Sequence, residues 1–161
     1  SAAFAYRWEQ LKLAMPLFGV LRRKLALSRF SRNFALLFKS GLPVVECVAM
    51  LPGLVGNRVV ARAVRSAGAD ISEGGSVAAS FARHEVIEPL VIRMLAVGET
   101  TGELSGSLDQ AALYYEEEIP RAITRFFALL EPVLILVMVA IVGFVALAIM
   151  LPLMSLLSAV G

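Results

Sequence analysis

From Pro132 to its end, the chain carries no charged side chain. The first 23 residues of that stretch, PVLILVMVAIVGFVALAIMLPLM, lack any strongly polar group as well. As an α-helix they would reach about 35 Å at ~1.5 Å per residue, against a bilayer core of about 30 Å. A helix of that length inside a soluble protein needs one polar stripe, and this one has none. Residues 132–154 are therefore expected to form a transmembrane helix, with residues 155–161 a short tail beyond it. Arg121 and Arg125 stand just before the segment and no Lys or Arg follows it. The positive-inside rule then places residues 1–131 in the cytoplasm and the C-terminus outside.

The remaining residues must supply a substantial soluble part. With 58% hydrophobic and only 17% charged residues, the chain is too apolar for an ordinary soluble domain, which averages about 25% charged, and too apolar for a disordered one. A single cysteine, Cys47, and a single histidine, His84, exclude an internal disulfide and a Cys/His zinc set. Cys47, among Val44, Val45 and Val48, reads as a buried small hydrophobe, and His84, between Arg83 and Glu85, as a surface residue. Charge is segregated along the chain. Residues 1–65 hold eleven basic and two acidic residues, a balance of +9, and residues 66–131 hold four and eleven, a balance of −7. Anionic lipid or an acidic partner would suit the basic half, but its charges are spread rather than blocked, so a solvated helical face is the simpler reading. No nucleic-acid motif accompanies them, and no nucleic-acid partner is expected.

Periodicity gives helices throughout, and no strand signals are present. Phe30, Phe34 and Phe38, with Leu27 and Leu37, make one apolar face for a helix from about Arg22 to Ser40. Gly41 supplies a left-handed stop and Pro43 marks the next helix, which runs to about Leu54. Asn57 is a natural N-cap for a helix to about Ile71. Gly74 and Gly75 end it, and Ser76 caps a short helix through Ala82. Pro89 opens another, expected to stop at Gly98. After Gly102 a stripe of Leu104, Leu108, Ala112, Tyr115, Ile119, Ile123, Phe126 and Leu130 leads into the apolar run, with a kink expected near Glu116–Pro120. The expected fold is all-α: an antiparallel bundle of about six helices over residues 22–131, the last continuing into the transmembrane helix.

Catalytic patterns fail one by one. VGETTGELSGSL has glycines at 98, 102 and 106 but no Gly-Lys-Ser/Thr and no preceding strand, so it is not a phosphate loop. Nor does it have dinucleotide-binding spacing. Glu99 and Glu103, with no histidine nearby, are a poor acid–base pair. No catalytic, cofactor-binding or metal-binding residue is expected.

Several motifs nevertheless occur in a fixed order. They are Met15-Pro16-Leu17-Phe18-Gly19 with Lys24, Phe34 with Ser40-Gly41-Leu42-Pro43, Gly75-Ser76, Val97-Gly98-Glu99-Thr100-Thr101-Gly102-Glu103-Leu104, Leu130-Glu131-Pro132, and Leu151-Pro152. In this order they resemble the type II secretion protein F and type IV pilus platform family across nearly the whole chain. Two places depart from that pattern: Glu88 stands directly before Pro89, and Pro120 falls inside the last helix.

The resemblance implies a non-enzymatic, bacterial inner-membrane platform without cofactors. Members look like tandem repeats of six-helix cytoplasmic domains, and this chain resembles the second. Its opening SAAFAY would be the stub of a preceding membrane helix, and residues 1–21 that stub with a juxtamembrane linker. The C-terminal tail would be periplasmic. Implied partners are a hexameric assembly ATPase, pilin or pseudopilin subunits, other inner-membrane machine subunits, further copies of the chain, and membrane lipid. The motif residues Gly41, Pro43, Gly98, Glu99, Gly102, Glu131 and Pro132 become candidates for structural or partner-contact roles. For the Gly98–Leu104 turn, tight reversal with Glu99 capping or solvating it is the simpler reading, and docking of another subunit the alternative. For Glu131 two readings stand: a charge at the N-terminal end of the membrane helix, or a carboxylate facing a positive group of a neighbouring subunit. Another function class also remains, a C-terminally anchored helical receptor or regulator that binds a soluble partner.

Overall fold

The structure, a computed structural model, describes the backbone of residues 2–160 and the side chains of residues 18–158. Six α-helices and one 3-10 turn account for most of it, with no strand among the described residues. Helix α1 spans Ala2–Lys39, α2 Val44–Met50, α3 Arg58–Ser72, α4 Val77–Ala82, α5 Pro89–Thr101 and α6 Leu104–Val160, and the 3-10 turn Leu51–Gly53 follows α2. The all-α expectation holds. Two compact units divide the chain, Ser1–Ala122 and Ile123–Gly161.

In the first unit the phenylalanine face of α1 does what its spacing requires. Phe30 and Phe34 are fully buried and meet edge-to-face at 5.6 Å, and Phe30 meets Phe81 of α4 the same way at 5.1 Å. Cys47, Val48, Val60, Val64, Val91, Leu95 and Leu108 complete the core. The α6 stripe is buried through Leu104, Leu108, Ala112 and Tyr115. Phe38 and Ile119 pack at the edge of the core. His84 is half-buried rather than on the surface, with Nε2 shielded from solvent, because the turn after α4 is folded inward by the bonds His84 N–H to Phe81 O and Ile87 N–H to His84 O.

Caps set most boundaries. The Asn57 side chain accepts the N–H groups of Val59 and Val60 at 2.9 and 3.3 Å and starts α3. Pro43 is the N-cap of α2, and Pro89 occupies the first turn of α5. Two boundaries differ from the sequence reading. Helix α1 begins at Ala2, so the backbone is helical through Pro16 and the stretch expected to be stub and linker. Helix α5 passes Gly98 and ends at Gly102, since a lone helical glycine costs only ~1 kcal/mol where packing favours it. Helix α6 continues across Pro120 into the apolar run, as the stripe implied.

The second unit is the remainder of α6. Most of its apolar side chains, such as Leu136, Phe144 and Leu151, lie exposed. The helix is long and apolar enough to cross a membrane. Glu131 and Pro132 lie inside α6, far from its start at Leu104.

Candidate functional site

Helices α3, α4, α5 and α6 meet at one end of the first unit, and that meeting gathers two motifs separated in sequence. Helix α3 ends at Ser72, and Gly74, at φ +94°, turns the chain so that the Gly75 N–H bonds the Asp70 carbonyl at 2.9 Å. A Cβ on Gly75 would stand 2.8 Å from that carbonyl oxygen. Ser76 then caps the six-residue helix α4, accepting the Ala79 N–H at 3.4 Å.

The Glu99 carboxylate, from the last turn of α5, completes this cap. Oε1 accepts the Val77 N–H at 2.9 Å, and Oε2 accepts the Ala78 N–H at 3.1 Å and the Ser76 hydroxyl at 2.8 Å. An anion at a helix N-terminus is favoured by the unpaired N–H groups and the helix dipole. Burial on its own would raise the Glu99 pKa, but the three hydrogen bonds outweigh it and leave the carboxyl below its ordinary range. Glu99 therefore holds α4 to α5 and does not cap its own turn.

Gly98 and Gly102 shape the return into α6. Gly98 is buried; a Cβ there would meet the Leu104 Cα at 2.7 Å, so only glycine lets the two backbones approach. Gly102 is the left-handed cap of α5 at φ +77°. The Thr101 hydroxyl then accepts the Glu103 N–H at 3.3 Å. Gly98–Leu104 is thus not one turn. It is a helix end, a left-handed glycine and a new helix start. Gly41, at φ +90°, stops α1 as its position implied, and Pro43 follows it at the start of α2.

Other residues were not singled out by sequence. Glu88 joins three elements, bonding Arg23 of α1 at 3.3 Å and receiving the Tyr115 hydroxyl of α6 at 2.9 Å. Burial first, and the Glu88 charge second, hold the Tyr115 phenol protonated far above its ordinary range. The only sequence signal was the irregular Glu before Pro89. A second set joins α1 to α6: Lys24 with Glu118 at 3.0 Å, Arg32 with Asp109 at 3.3 Å and with Glu116, and Lys39 with Asp109. Four members of the basic half, Arg23, Lys24, Arg32 and Lys39, are therefore paired with the chain's own acidic half rather than only with solvent.

Glu131 is exposed within α6, 27 residues beyond the first residue of that helix. It has no helix N-terminus to stabilise, so the helix-end reading of this charge fails. Gly41, Pro43 and Glu131 are not brought into the Glu99 cluster. Among the described residues no group of three His, Cys, Asp or Glu side chains could hold a metal ion.

Comparison with known proteins agrees with the order of motifs. Residues 30–152 match the family model described as type II secretion system (T2SS), protein F. The type IV pilus assembly protein PilC of Thermus thermophilus is 38% identical over 96% of this chain and 41% of its own length. The type II secretion system protein F of Pseudomonas aeruginosa is 35% identical over 99% of this chain and 39% of its own length. PilC of Myxococcus xanthus is 33% identical over 95% of this chain and 37% of its own. The chain thus spans about two fifths of the length of these relatives. With the match covering most of the helical unit and the apolar helix beyond it, the chain belongs to the type II secretion system protein F family.

Proposed function

We propose that this chain is the C-terminal repeat of a non-enzymatic inner-membrane platform in a type IV pilus or type II secretion machine. The family match carries the reading, because it extends from the cytoplasmic bundle through the apolar helix. Residues 22–131 lie in the cytoplasm, residues 132–154 cross the bilayer and residues 155–161 reach the periplasm. A cytoplasmic hexameric assembly ATPase supplies the energy, and the platform passes its motion to pilin or pseudopilin subunits. Glu131, exposed near the membrane entry, would receive a positive group of a neighbouring subunit.

Crosslinking in intact membranes, with mass spectrometry of the adducts, tests the partners. Recovery of an assembly ATPase and of pilin-type subunits supports the platform, whereas recovery of one soluble partner alone supports an anchored receptor. Glu131→Gln in the full-length protein tests the ionic contact: assembly should slow while insertion is retained. Assembly at the normal rate would end that part of the reading.

A further inference from the structure

The neutralisation of α1 is one-sided. Lys24, Arg32 and Lys39 face acids of α6, and Arg23 faces Glu88. Arg22 and Arg29, also on α1, are exposed and have no ion pair among the described residues. They line a cavity of about 200 Å³ with Leu25, Val55 and Gly56. The Arg29 guanidinium lies directly against Gly56, in space that a Cβ would fill. Two residues later α3 begins, and it presents Arg58, Arg62 and Arg65 at i, i+4 and i+7 on an exposed face, again without ion pairs among the described residues.

We propose that these five arginines form a docking surface for an acidic segment of another protein. A carboxylate of that segment enters the cavity between Arg22 and Arg29. Three observations select this occupant. First, the unpaired surface is all arginine, whereas the internally paired face of α1 mixes Lys24 and Lys39 with Arg23 and Arg32. Protein interfaces are enriched in Arg and depleted in Lys, and guanidinium binds carboxylate bidentately, while a lipid surface attracts lysine and arginine alike. Second, exposed apolar side chains interleave with the charges, Leu25 between Arg22 and Arg29, and Val59, 63% exposed, between Arg58 and Arg62. Third, in the acidic run Glu116–Glu118, Glu116 is engaged with Arg32 and Glu118 with Lys24 and Arg121, and only Glu117 is exposed without an ion pair among the described residues. Among the described residues, a second copy therefore offers a single carboxylate of that run rather than a stretch of them, and the segment is assigned to a different protein. The inference rests on the platform reading only in requiring that other subunits be present.

The test places a photoreactive amino acid at Val59, and separately at Glu73 beyond the other end of α3, in the full-length protein in its own membranes. The Val59 probe should capture a peptide rich in Asp and Glu from another protein. Arg29→Glu with Arg62→Glu should lower that yield at least about tenfold, and acid-to-arginine changes in the captured peptide should restore it. Neither arginine has an internal ion pair, so an unchanged melting profile is expected; Arg58→Gln with Arg62→Gln is the milder second variant. Capture of lipid, of a second copy or of a peptide without acidic excess would overturn the proposal, as would a yield indifferent to both variants. Adducts with machine subunits from Glu73 but none from Val59 would overturn this surface alone. Absence of machine subunits at both positions would overturn the platform reading as well.

Discussion

Glu99 is ionised in a place that would otherwise disfavour it, and three donors from α4 are the reason. Its folded pKa is depressed, so its contribution is fully present above the unfolded value of about 4.3 and is lost as pH falls through the folded one. Glu99→Gln keeps the size but removes the charge, and should cost about 1–2 kcal/mol at pH 7. The difference from the parent should shrink below about pH 4; parallel denaturant unfolding at pH 7 and pH 3.5 measures it. Its neighbour Gly98 gives a test of opposite signs. Gly98→Ala forces a Cβ against the Leu104 backbone at 2.7 Å and should destabilise by about 1–3 kcal/mol. Gly106→Ala, on α6, meets nothing nearer than 3.6 Å and should stabilise by up to about 1 kcal/mol. Melting temperatures of the two variants should move in opposite directions. If both rise, Gly98 is not a point of close approach.

Between elements, the polar contacts decide how α6 is held to the rest of its unit. Arg32 bonds Glu116 and Asp109 together, and the Glu116 hydrogen bond is the main reason its pKa is raised. The site is well exposed, so Arg32→Met should cost only about 0.5–1 kcal/mol, and less in 1 M salt. Tyr115→Phe should cost more, about 1–3 kcal/mol with no salt dependence, because it leaves the Glu88 carboxylate short of a donor in a buried setting. Unfolding of both variants at low and high salt separates the two kinds of contact. These contacts also mark where sequence reasoning stopped. Phe30, Phe34, Asn57 and Gly41 were legible because periodicity, capping and left-handed turns are local rules. The contact of Glu99 is not legible in this way, because its donors lie more than 20 residues earlier and the Ser76 cap that marks the start of α4 does not say which distant carboxylate completes it. The end of α5 was misplaced at Gly98 because a close-approach glycine and a helix-stopping glycine look alike until Leu104 is packed against one of them. Tyr115 fitted the apolar stripe and is buried as that stripe requires, but a stripe does not show the carboxylate waiting for its hydroxyl.

For the molecule as a whole, the proposed topology can be tested with the chain's own chemistry. Cys47 is its only cysteine and is buried, and burial pushes its thiol pKa up, so little reactive thiolate forms at neutral pH. The parent protein should therefore show almost no labelling by a membrane-impermeant maleimide, leaving a clean background for single introduced cysteines. Glu73→Cys, beyond the end of α3, should react only after the inner membrane is opened. Ser158→Cys, in the expected periplasmic tail, should react in spheroplasts whose inner membrane is intact. Gly143→Cys is the informative third position. Nothing among the described residues stands within 4 Å of a Cβ there, so any protection must come from surroundings beyond them, such as lipid. It should resist labelling before and after the membrane is opened, and become reactive once detergent and denaturant remove its surroundings. Reversal of the Glu73 and Ser158 results would invert the topology. Ready labelling of Gly143→Cys in intact membranes would show that the apolar run lines water, and a simple lipid-facing span would then be the wrong account of the longest helix in the chain.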